Sequence, residues 1–134
     1  MGARKPKKPT QVMHWKDEPD EHDYLAAREF LCLIVDTDVA KRTVRKLRTA
    51  SLKRYKAKDL MRASNSVLLP FDDTHVAVDL VKVDRGIKLS PVLLVRGSLG
   101  DYPLVIADGF HRICASYHLD PNAEIPCHIV NLAD

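Results

Sequence analysis

The sequence has few aromatic residues, few cysteines and no long apolar run. Aromatic residues make up only 6% of its 134 residues, so we expect a mainly aliphatic core. Three cysteines are an odd number, which does not suit a disulfide framework and fits a reducing cytoplasm better. No apolar run approaches the ~20 residues that cross a bilayer. These absences exclude a membrane protein and a disulfide scaffold, and we expect a small cytoplasmic protein with no membrane partner.

The charge of the chain is unevenly distributed. The formal net charge is +3, and the 46% of hydrophobic and 29% of charged residues are typical of one globular domain. Residues 36–70 carry ten basic and three acidic side chains, a net charge of +7. Residues 71–134 carry five basic and nine acidic ones, a net charge of −4. The small total therefore conceals a basic middle and an acidic C-terminal half.

The basic middle is a candidate nucleic-acid-binding surface. No acidic residue lies between Asp38 and Asp59, and a dense basic cluster attracts phosphate backbones. Alternatively, the cluster faces the acidic half of the chain or forms a solvated helix face. Tyr55 is the only ring within it, so stacking on single-stranded bases has little support. The candidate nucleic-acid-binding residues are Lys41, Arg42, Arg45, Lys46, Arg48, Lys53 and Arg54.

Three segments follow one another along the chain. Residues 1–19 are basic and contain three prolines, which indicates a flexible tail that Trp15 docks onto the domain. The basic start is not followed by an apolar segment, so we do not expect a secretory signal. Residues 20–54 are predicted to form an N-terminal helical extension, and residues 55–134 the main domain.

The extension is predicted to contain two helices. Tyr24, Ala27, Leu31 and Ile34 recur at the spacing of an amphipathic helix, and we expect Cys32 to lie in the core with them. The second helix begins near Asp36 or Asp38, either of which can cap it.

The main domain is predicted to be α+β, with helices packed around a small mixed sheet. The apolar runs 92–95 and 104–107, joined by a glycine-containing turn, predict a hairpin of buried strands. Residues 110–118 are predicted to form a helix, and residues 127–130 a last strand after Pro126. A short strand near residues 55–58 and a helix over residues 75–84, capped by Thr74, complete the prediction.

The segment from Asp108 to Arg112 carries the most chemical information. It joins a predicted strand to a helix, and Gly109 lets the backbone approach a ligand closely. A helix N-terminus offers unpaired N–H groups and a partial positive charge, which suit a phosphate group. His111 and Arg112 add donors at the same point. The alternative is a tight turn in which the arginine pairs with a nearby carboxylate.

This segment and its surroundings resemble the ParB/sulfiredoxin-like superfamily. The resemblance rests on residues 86–92, on the run from Pro103 to Ala107, on the Gly-x-His-Arg box at Gly109–Arg112, and on the Ile125–Val130 strand. It covers about residues 55–130 and implies the ParB/sulfiredoxin-like fold. The first 50 residues have no counterpart in it.

The resemblance implies a site for the phosphates of a nucleotide, ATP or CTP, with Mg²⁺ as a companion ion. It implies a coupling to DNA binding and is compatible with a homodimer. Phe110 occupies the position of the catalytic cysteine of sulfiredoxins, so we do not expect sulfiredoxin chemistry. ParB proteins have a glutamate there, so nucleotide binding without hydrolysis is one expectation. The implied nucleotide- or phosphate-binding residues are Lys88, Ser90, Gly109, His111 and Arg112.

Other functions are left open by the sequence. The first alternative is a non-catalytic nucleic-acid- or protein-binding module that uses the basic residues 41–58. A weaker one is a metal-dependent nuclease or phosphotransferase, with Asp108 as metal ligand or base, or with Asp72, Asp73 and Asp79 holding magnesium. A zinc site at His111, Cys114 and His118 lacks the usual ligand spacing, so we predict no resident metal.

Overall fold

The computed structural model describes residues 12–134, and within them the chain forms five helices and four strands in an α+β arrangement. This confirms the predicted fold class. The helices are α1 (Glu21–Leu31), α2 (Thr37–Thr49), α3 (Ala57–Ala63), α4 (Thr74–Asp84) and α5 (Phe110–Leu119), and the strands are β1 (Lys53–Lys56), β2 (Val92–Val95), β3 (Val105–Asp108) and β4 (Glu124–Val130).

The four strands form one mixed sheet in the order β1-β4-β2-β3. β2 and β3 pair antiparallel, which confirms the predicted hairpin, whereas β4 lies parallel to β2 and antiparallel to β1. β4 begins at Glu124, before Pro126 rather than after it. β2 joins β4 only from Cys127 onward, so Pro126 has a single neighbouring strand, opposite Arg54. The missing N–H of proline is tolerated at such a position.

Helices cover both faces of the sheet. On one face, side chains of α3, α4 and α5 pack with Val92 and Leu94 of β2 in a core that also includes Ile125. On the other face, α1 and α2 pack against Leu93 and Val95. All four residues of β2 are buried, because successive side chains of a strand point to opposite faces. The two N-terminal helices therefore form a layer of the same core as the sheet.

Both α2 and α4 begin directly after an aspartate, and for α4 this corrects the predicted cap. α2 begins directly after Asp36, as predicted. α4 is capped by Asp73 rather than by Thr74, since the Asp73 carboxylate accepts hydrogen bonds from the backbone N–H groups of His75 (3.0 Å) and Val76 (3.1 Å). Thr74 becomes the first residue of the helix. The prediction was wrong by one residue because both side chains are good caps, and the aspartate precedes the first turn.

The end of α1 also differs from the prediction. Tyr24, Ala27 and Leu31 are buried as expected, but Cys32 and Ile34 are exposed. The helix ends at Leu31, and the following residues leave the helical spacing that would have kept them on the buried stripe. The prediction that Cys32 lies in the core was therefore wrong.

The segment before α1 is attached to the domain beside Leu89, three residues before β2. Trp15 is half-buried against the α3–α5 core and forms a short parallel bridge with Leu89. Lys16 N donates to Leu89 O at 2.8 Å, and Leu89 N donates to His14 O at 2.9 Å. Residues 1–11, which contain most of the predicted tail, lie outside the described residues. Within residues 12–134, no helix is long and apolar enough to cross a membrane.

Candidate functional site

The candidate site is built around the turn between β3 and α5. Gly109 precedes α5 with a φ of +107°, a backbone conformation that other residues adopt only under strain. A Cβ at this position would lie 2.4 Å from Val92 Cγ1 and 2.9 Å from an Arg112 guanidinium nitrogen. Glycine is therefore required both by the backbone conformation and by space. No side chain of the described residues caps α5, so its first N–H groups face the cavity beside it without a side-chain acceptor.

A polar cavity of about 240 Å³ opens at this helix start, and we call it the α5 cavity. Its walls come from α4 and from the β3–α5 turn. The His75 and His111 rings lie 4.7 Å apart between their centroids, tilted by 47°. The cavity is lined by His75, Val78, Asp79, Lys82, Asp108, Gly109, His111 and Arg112.

Arg112 is held by carboxylates on two sides. A guanidinium nitrogen donates to Asp108 Oδ2 at 2.8 Å and lies 3.4 Å from Pro91 O, and another lies 3.9 Å from Asp23 Oδ1. The Arg112 side chain is 15% exposed and that of Asp23 is 3% exposed, so these groups meet in a largely dry environment. The Arg112 Nε–H is buried and has no hydrogen-bond partner among the described residues. The pairing of the arginine with a carboxylate, weighed as an alternative from sequence, is what the structure shows.

Asp79 is the most unusual group in the α5 cavity. It lies on the inner face of α4, is 9% exposed, and makes no hydrogen bond or ion pair within residues 12–134. Burial raises the pKa of the Asp79 carboxyl above its ordinary value, although Arg112, Lys82 and the two histidines oppose the rise. Its carboxylate oxygens are not among the fully enclosed side-chain atoms that lack a partner, so they reach the open cavity. Asp79 is therefore a polar group directed at the cavity and left unpaired by the fold.

Asp108 has a different environment from Asp79. Burial raises the pKa of its carboxyl, Arg112 opposes the rise, and the nearby Asp23 carboxyl adds to it. Asp108 and Asp23 thus share one arginine, and a proton taken up here relieves the repulsion between them. Since Asp108 is already paired with Arg112, it is not a free base in this arrangement.

Ser90 and Lys88, the two predicted phosphate-binding residues upstream of the turn, lie outside the α5 cavity. Ser90 is buried, and its hydroxyl donates to Asp20 Oδ2 at 3.1 Å, next to the Pro91 carbonyl that approaches Arg112. It supports the carboxylate network behind the arginine and does not line the α5 cavity. Lys88 is exposed and does not line this cavity either. Of the five predicted phosphate-binding residues, the structure brings Gly109, His111 and Arg112 together.

Three polar residues that line the cavity from α4 were not predicted from sequence for this site. His75, Asp79 and Lys82 belong to one face of α4, at positions i, i+4 and i+7. The available signal was a stripe of polar residues along a helix whose other positions are mainly apolar. The sequence does not show what this polar face contacts. The packing of α4 beside α5 places it along the α5 cavity.

The predicted basic block divides into two groups. Arg42 donates to Asp38 Oδ2 at 3.1 Å and to the Asp134 backbone carbonyl, and Lys46 Nζ donates to Asn131 O at 2.7 Å. Arg48 is paired with Glu21 at 2.8 Å and lies over the Tyr24 ring at 4.3 Å. These three cations attach α2 to α1 and to the C-terminal segment. The other four have exposed side chains with no hydrogen bond or ion pair among the described residues: Lys41, Arg45, Lys53 and Arg54.

The acidic and sulfur-containing candidates for metal binding have other roles. Asp73 caps α4, and Asp79 lies further along the helix in the α5 cavity. Burial raises the pKa of the Cys114 thiol, and that of Cys127 to about 12. Among the described residues, one set of three potential ligands lies close together, formed by Asp20, His22 and Asp23. Its two carboxylates already bind Lys16 and a backbone N–H at the start of α1.

Comparison of the chain with protein-family models, with curated proteins and with solved structures finds no match. The resemblance to the ParB/sulfiredoxin-like superfamily therefore stays a prediction that rests on the residues quoted for it.

Proposed function

We propose that the protein binds the phosphate group of a nucleotide, ATP or CTP, in the α5 cavity. The observation that carries this proposal is the glycine-started, uncapped N-terminus of α5, which opens into a polar cavity of about 240 Å³. A helix N-terminus attracts anions through its N–H groups and its partial positive charge. The buried, unpaired Asp79 on the opposite wall supports the view that the cavity takes a ligand.

Lys82 and the two histidines are the groups that would complete the anion site. Lys82 lines the cavity from α4, and so do His75 and His111, whose rings are in contact with each other. Arg112 contributes less charge than the sequence predicts, because Asp108 and Asp23 already neutralise it. The cavity is smaller than the ~300–1,000 Å³ of typical small-molecule sites. It therefore suits the phosphates of a nucleotide better than the whole molecule.

The protonation of Asp79 and Asp108 affects how strongly the cavity binds a phosphate. A phosphate repels ionised carboxylates, whereas a protonated carboxyl donates a hydrogen bond to it. Burial raises the pKa values of the Asp79 and Asp108 carboxyls, so their protonated forms persist to a higher pH than in an exposed aspartate. We expect phosphate affinity to increase as the pH falls toward these values.

A magnesium ion fits the cavity only in part. Asp79 and Asp108 are oxygen ligands of the kind that Mg²⁺ prefers, but they are not members of a close three-residue ligand set among the described residues. Arg112 also occupies one oxygen of Asp108. Mg²⁺ would therefore arrive with the nucleotide, held mainly by the phosphates. Asp79 would be its protein ligand only in the ionised form, which is an alternative to the protonated form that donates to a phosphate.

Calorimetry with ATP, CTP, ADP and tripolyphosphate, each with and without Mg²⁺, tests the proposal. The informative variant is Lys82→Ala, because Lys82 lines the cavity, and its matched control is Lys88→Ala, which removes the same charge outside it. Loss of a charge-assisted contact is expected to weaken binding about tenfold in Lys82→Ala. Lys88→Ala should bind as the wild type does.

Two results would contradict the proposal. Wild-type protein that binds none of the four compounds excludes a phosphate site at α5. Equal weakening in both lysine variants would mean that binding follows overall charge. If tripolyphosphate binds as tightly as ATP, the phosphate site is supported, and the nucleoside does not contribute to binding.

A further inference from the structure

A second cavity lies between α1 and α2, on the face of the sheet opposite to α5, and we call it the α1–α2 cleft. Its volume is about 210 Å³. Arg28 of α1 lines it together with Lys41, Arg45 and Arg48 of α2, and Tyr24 lies beside Arg48. Arg28 was not part of the basic block predicted from sequence, because twelve residues, three of them acidic, separate it from Lys41 at the start of that block. The packing of α1 on α2 brings it there.

The positive charge of the cleft is only partly neutralised. Arg48 is paired with Glu21. The side chains of Arg28, Lys41 and Arg45 make no hydrogen bond or ion pair within residues 12–134, and no acidic residue lines the cleft. Three unpaired cations therefore converge on one depression of the surface.

This arrangement works against the stability of α2. Lys41 and Arg45 are four residues apart on one face of the helix, where like charges repel each other. By contrast, Arg42 on the adjacent face has its partner Asp38 at the same spacing. The fold thus neutralises Arg42 and Arg48, which hold α2 in place, and leaves Arg28, Lys41 and Arg45 of the cleft without partners among the described residues.

We propose that the α1–α2 cleft binds the phosphate backbone of duplex DNA. Several cations at fixed positions can neutralise several phosphates, with release of counterions. Apart from Tyr24, the polar side chains that line the cleft are those of arginines and a lysine, which are the usual partners of DNA phosphates. Tyr24 is buried, and Arg48 covers its ring, so it offers no stacking platform for a single strand.

The exposed strand β1 provides a matched comparison. The side chains of Lys53, Arg54 and Lys56 are exposed and have no hydrogen bond or ion pair among the described residues, and they do not line the cleft. Replacing these three by alanine removes the same charge as Arg28→Ala, Lys41→Ala and Arg45→Ala together. Neither set touches the α5 cavity, so a failure here would leave the proposed phosphate site unaffected.

The experiment is a fluorescence-anisotropy titration with a short duplex DNA of random sequence at several salt concentrations. For the cleft variant we expect at least about tenfold weaker binding and a salt slope that falls by about 2–3. The β1 variant should keep its affinity within about twofold and its slope within about 1. Urea unfolding serves as the folding control, and the cleft variant should be at least as stable as wild type, because repelling charges are removed.

Several outcomes would overturn the inference. Wild-type protein without salt-dependent DNA binding excludes it, as does an equal loss in the two triple variants. Tighter binding of a single strand than of a duplex would point to stacking rather than to the cleft. If tripolyphosphate stabilises wild type but not the cleft variant, and duplex DNA does not bind, the cleft is a site for a small anion.

Discussion

Asp108 and Arg112 form an ion pair of 2.8 Å across the first turn of α5, with both side chains largely buried. The pair connects the end of a sheet strand to the helix that follows it. Through Asp23, which lies 3.9 Å from the same guanidinium, it also connects that turn to α1 on the other side of the sheet. One arginine thus joins three elements of the fold at the edge of the α5 cavity.

Arg112→Met should destabilise the protein strongly. It leaves the Asp108 and Asp23 carboxylates buried without their cation, a change that typically costs about 3 kcal/mol. The control is Arg62→Met, since Arg62 forms a 3.6 Å pair with Asp59 while 86% exposed. Such a surface pair contributes less than about 1 kcal/mol.

Urea unfolding at neutral and at acidic pH provides the measurement for these two arginine variants. Protonation of the carboxylates relieves the uncompensated charge, so the deficit of Arg112→Met should shrink as the pH falls. A deficit that is equal at both pH values would show that the arginine acts through packing rather than through charge.

Asp79→Asn should stabilise the protein at neutral pH and reduce its pH dependence. Burial raises the pKa of folded Asp79 above the ordinary 3.8, so the folded state binds this proton more tightly than the unfolded state does. Protonated Asp79 therefore stabilises the folded state. This stabilisation is complete below the pKa of the unfolded state, and it is lost as the pH rises through the higher pKa of the folded state. At neutral pH the ionised carboxylate destabilises the folded state, so its replacement by an amide should raise the temperature of unfolding.

Thermal unfolding of Asp79→Asn against pH, with Asp72→Asn as control, tests this expectation. Asp72 is exposed and lies just before the same helix. Its replacement should not alter the pH profile. An unchanged profile in Asp79→Asn would show that Asp79 is hydrated in solution and not a buried, unpaired acid.

Gly109→Ala should cost more stability than Gly86→Ala, although both glycines have positive φ. Gly86 has a φ of +71° and no atom within 4 Å of an added Cβ, so its replacement costs the backbone strain alone, about 1–2 kcal/mol. At Gly109 the methyl group also meets Val92 at 2.4 Å. Overpacking of this kind adds about 1–3 kcal/mol.

The difference between the two glycine variants in urea unfolding isolates the steric cost. The double variant Gly109→Ala with Val92→Ala removes the 2.4 Å contact with Val92 Cγ1, but Val92 Cβ at 2.8 Å and an Arg112 guanidinium nitrogen at 2.9 Å remain. We therefore expect it to recover only part of the steric cost and to retain the strain. A similar loss in Gly86→Ala and Gly109→Ala would mean that Val92 moves aside without cost.

Local patterns predicted the parts of the fold that depend on neighbouring residues. The apolar run 92–95 indicated a buried strand because helices cover both faces of the sheet there, and the β2–β3 hairpin followed from its short glycine-containing turn. The strand–glycine–helix arrangement of the segment from Asp108 to Arg112 was predicted from sequence and is present, since β3 ends at Asp108 and α5 begins at Phe110. The caps and helix ends that were misplaced, at Thr74 and beyond Leu31, shifted by only one to three residues.

The composition of the two cavities could not be predicted in the same way. Asp23 reaches Arg112 because α1 packs on β3, and Asp79 reaches the α5 cavity because α4 packs beside α5. Lys88, predicted for the site, lies outside the cavity, whereas Lys82 lines it. Arg28 joins the basic residues of α2 only through the packing of two helices. Which residues meet in these cavities depends on tertiary contacts between segments that are distant in the sequence. Helical or strand spacing reports only local structure and cannot predict those contacts.

The three cysteines should differ sharply in their reactivity toward a thiol reagent. Cys32 is exposed directly after α1, whereas Cys114 and Cys127 are buried in the α3–α5 core. Burial raises the pKa of Cys127 to about 12 and also raises that of Cys114, so neither forms the reactive thiolate at neutral pH. Native protein should therefore release one equivalent of chromophore quickly from a disulfide reagent, and three after denaturation. Cys32→Ser should abolish the fast phase, and peptide mapping that finds the label on Cys114 or Cys127 in native protein would show that the core opens on the time scale of the reaction.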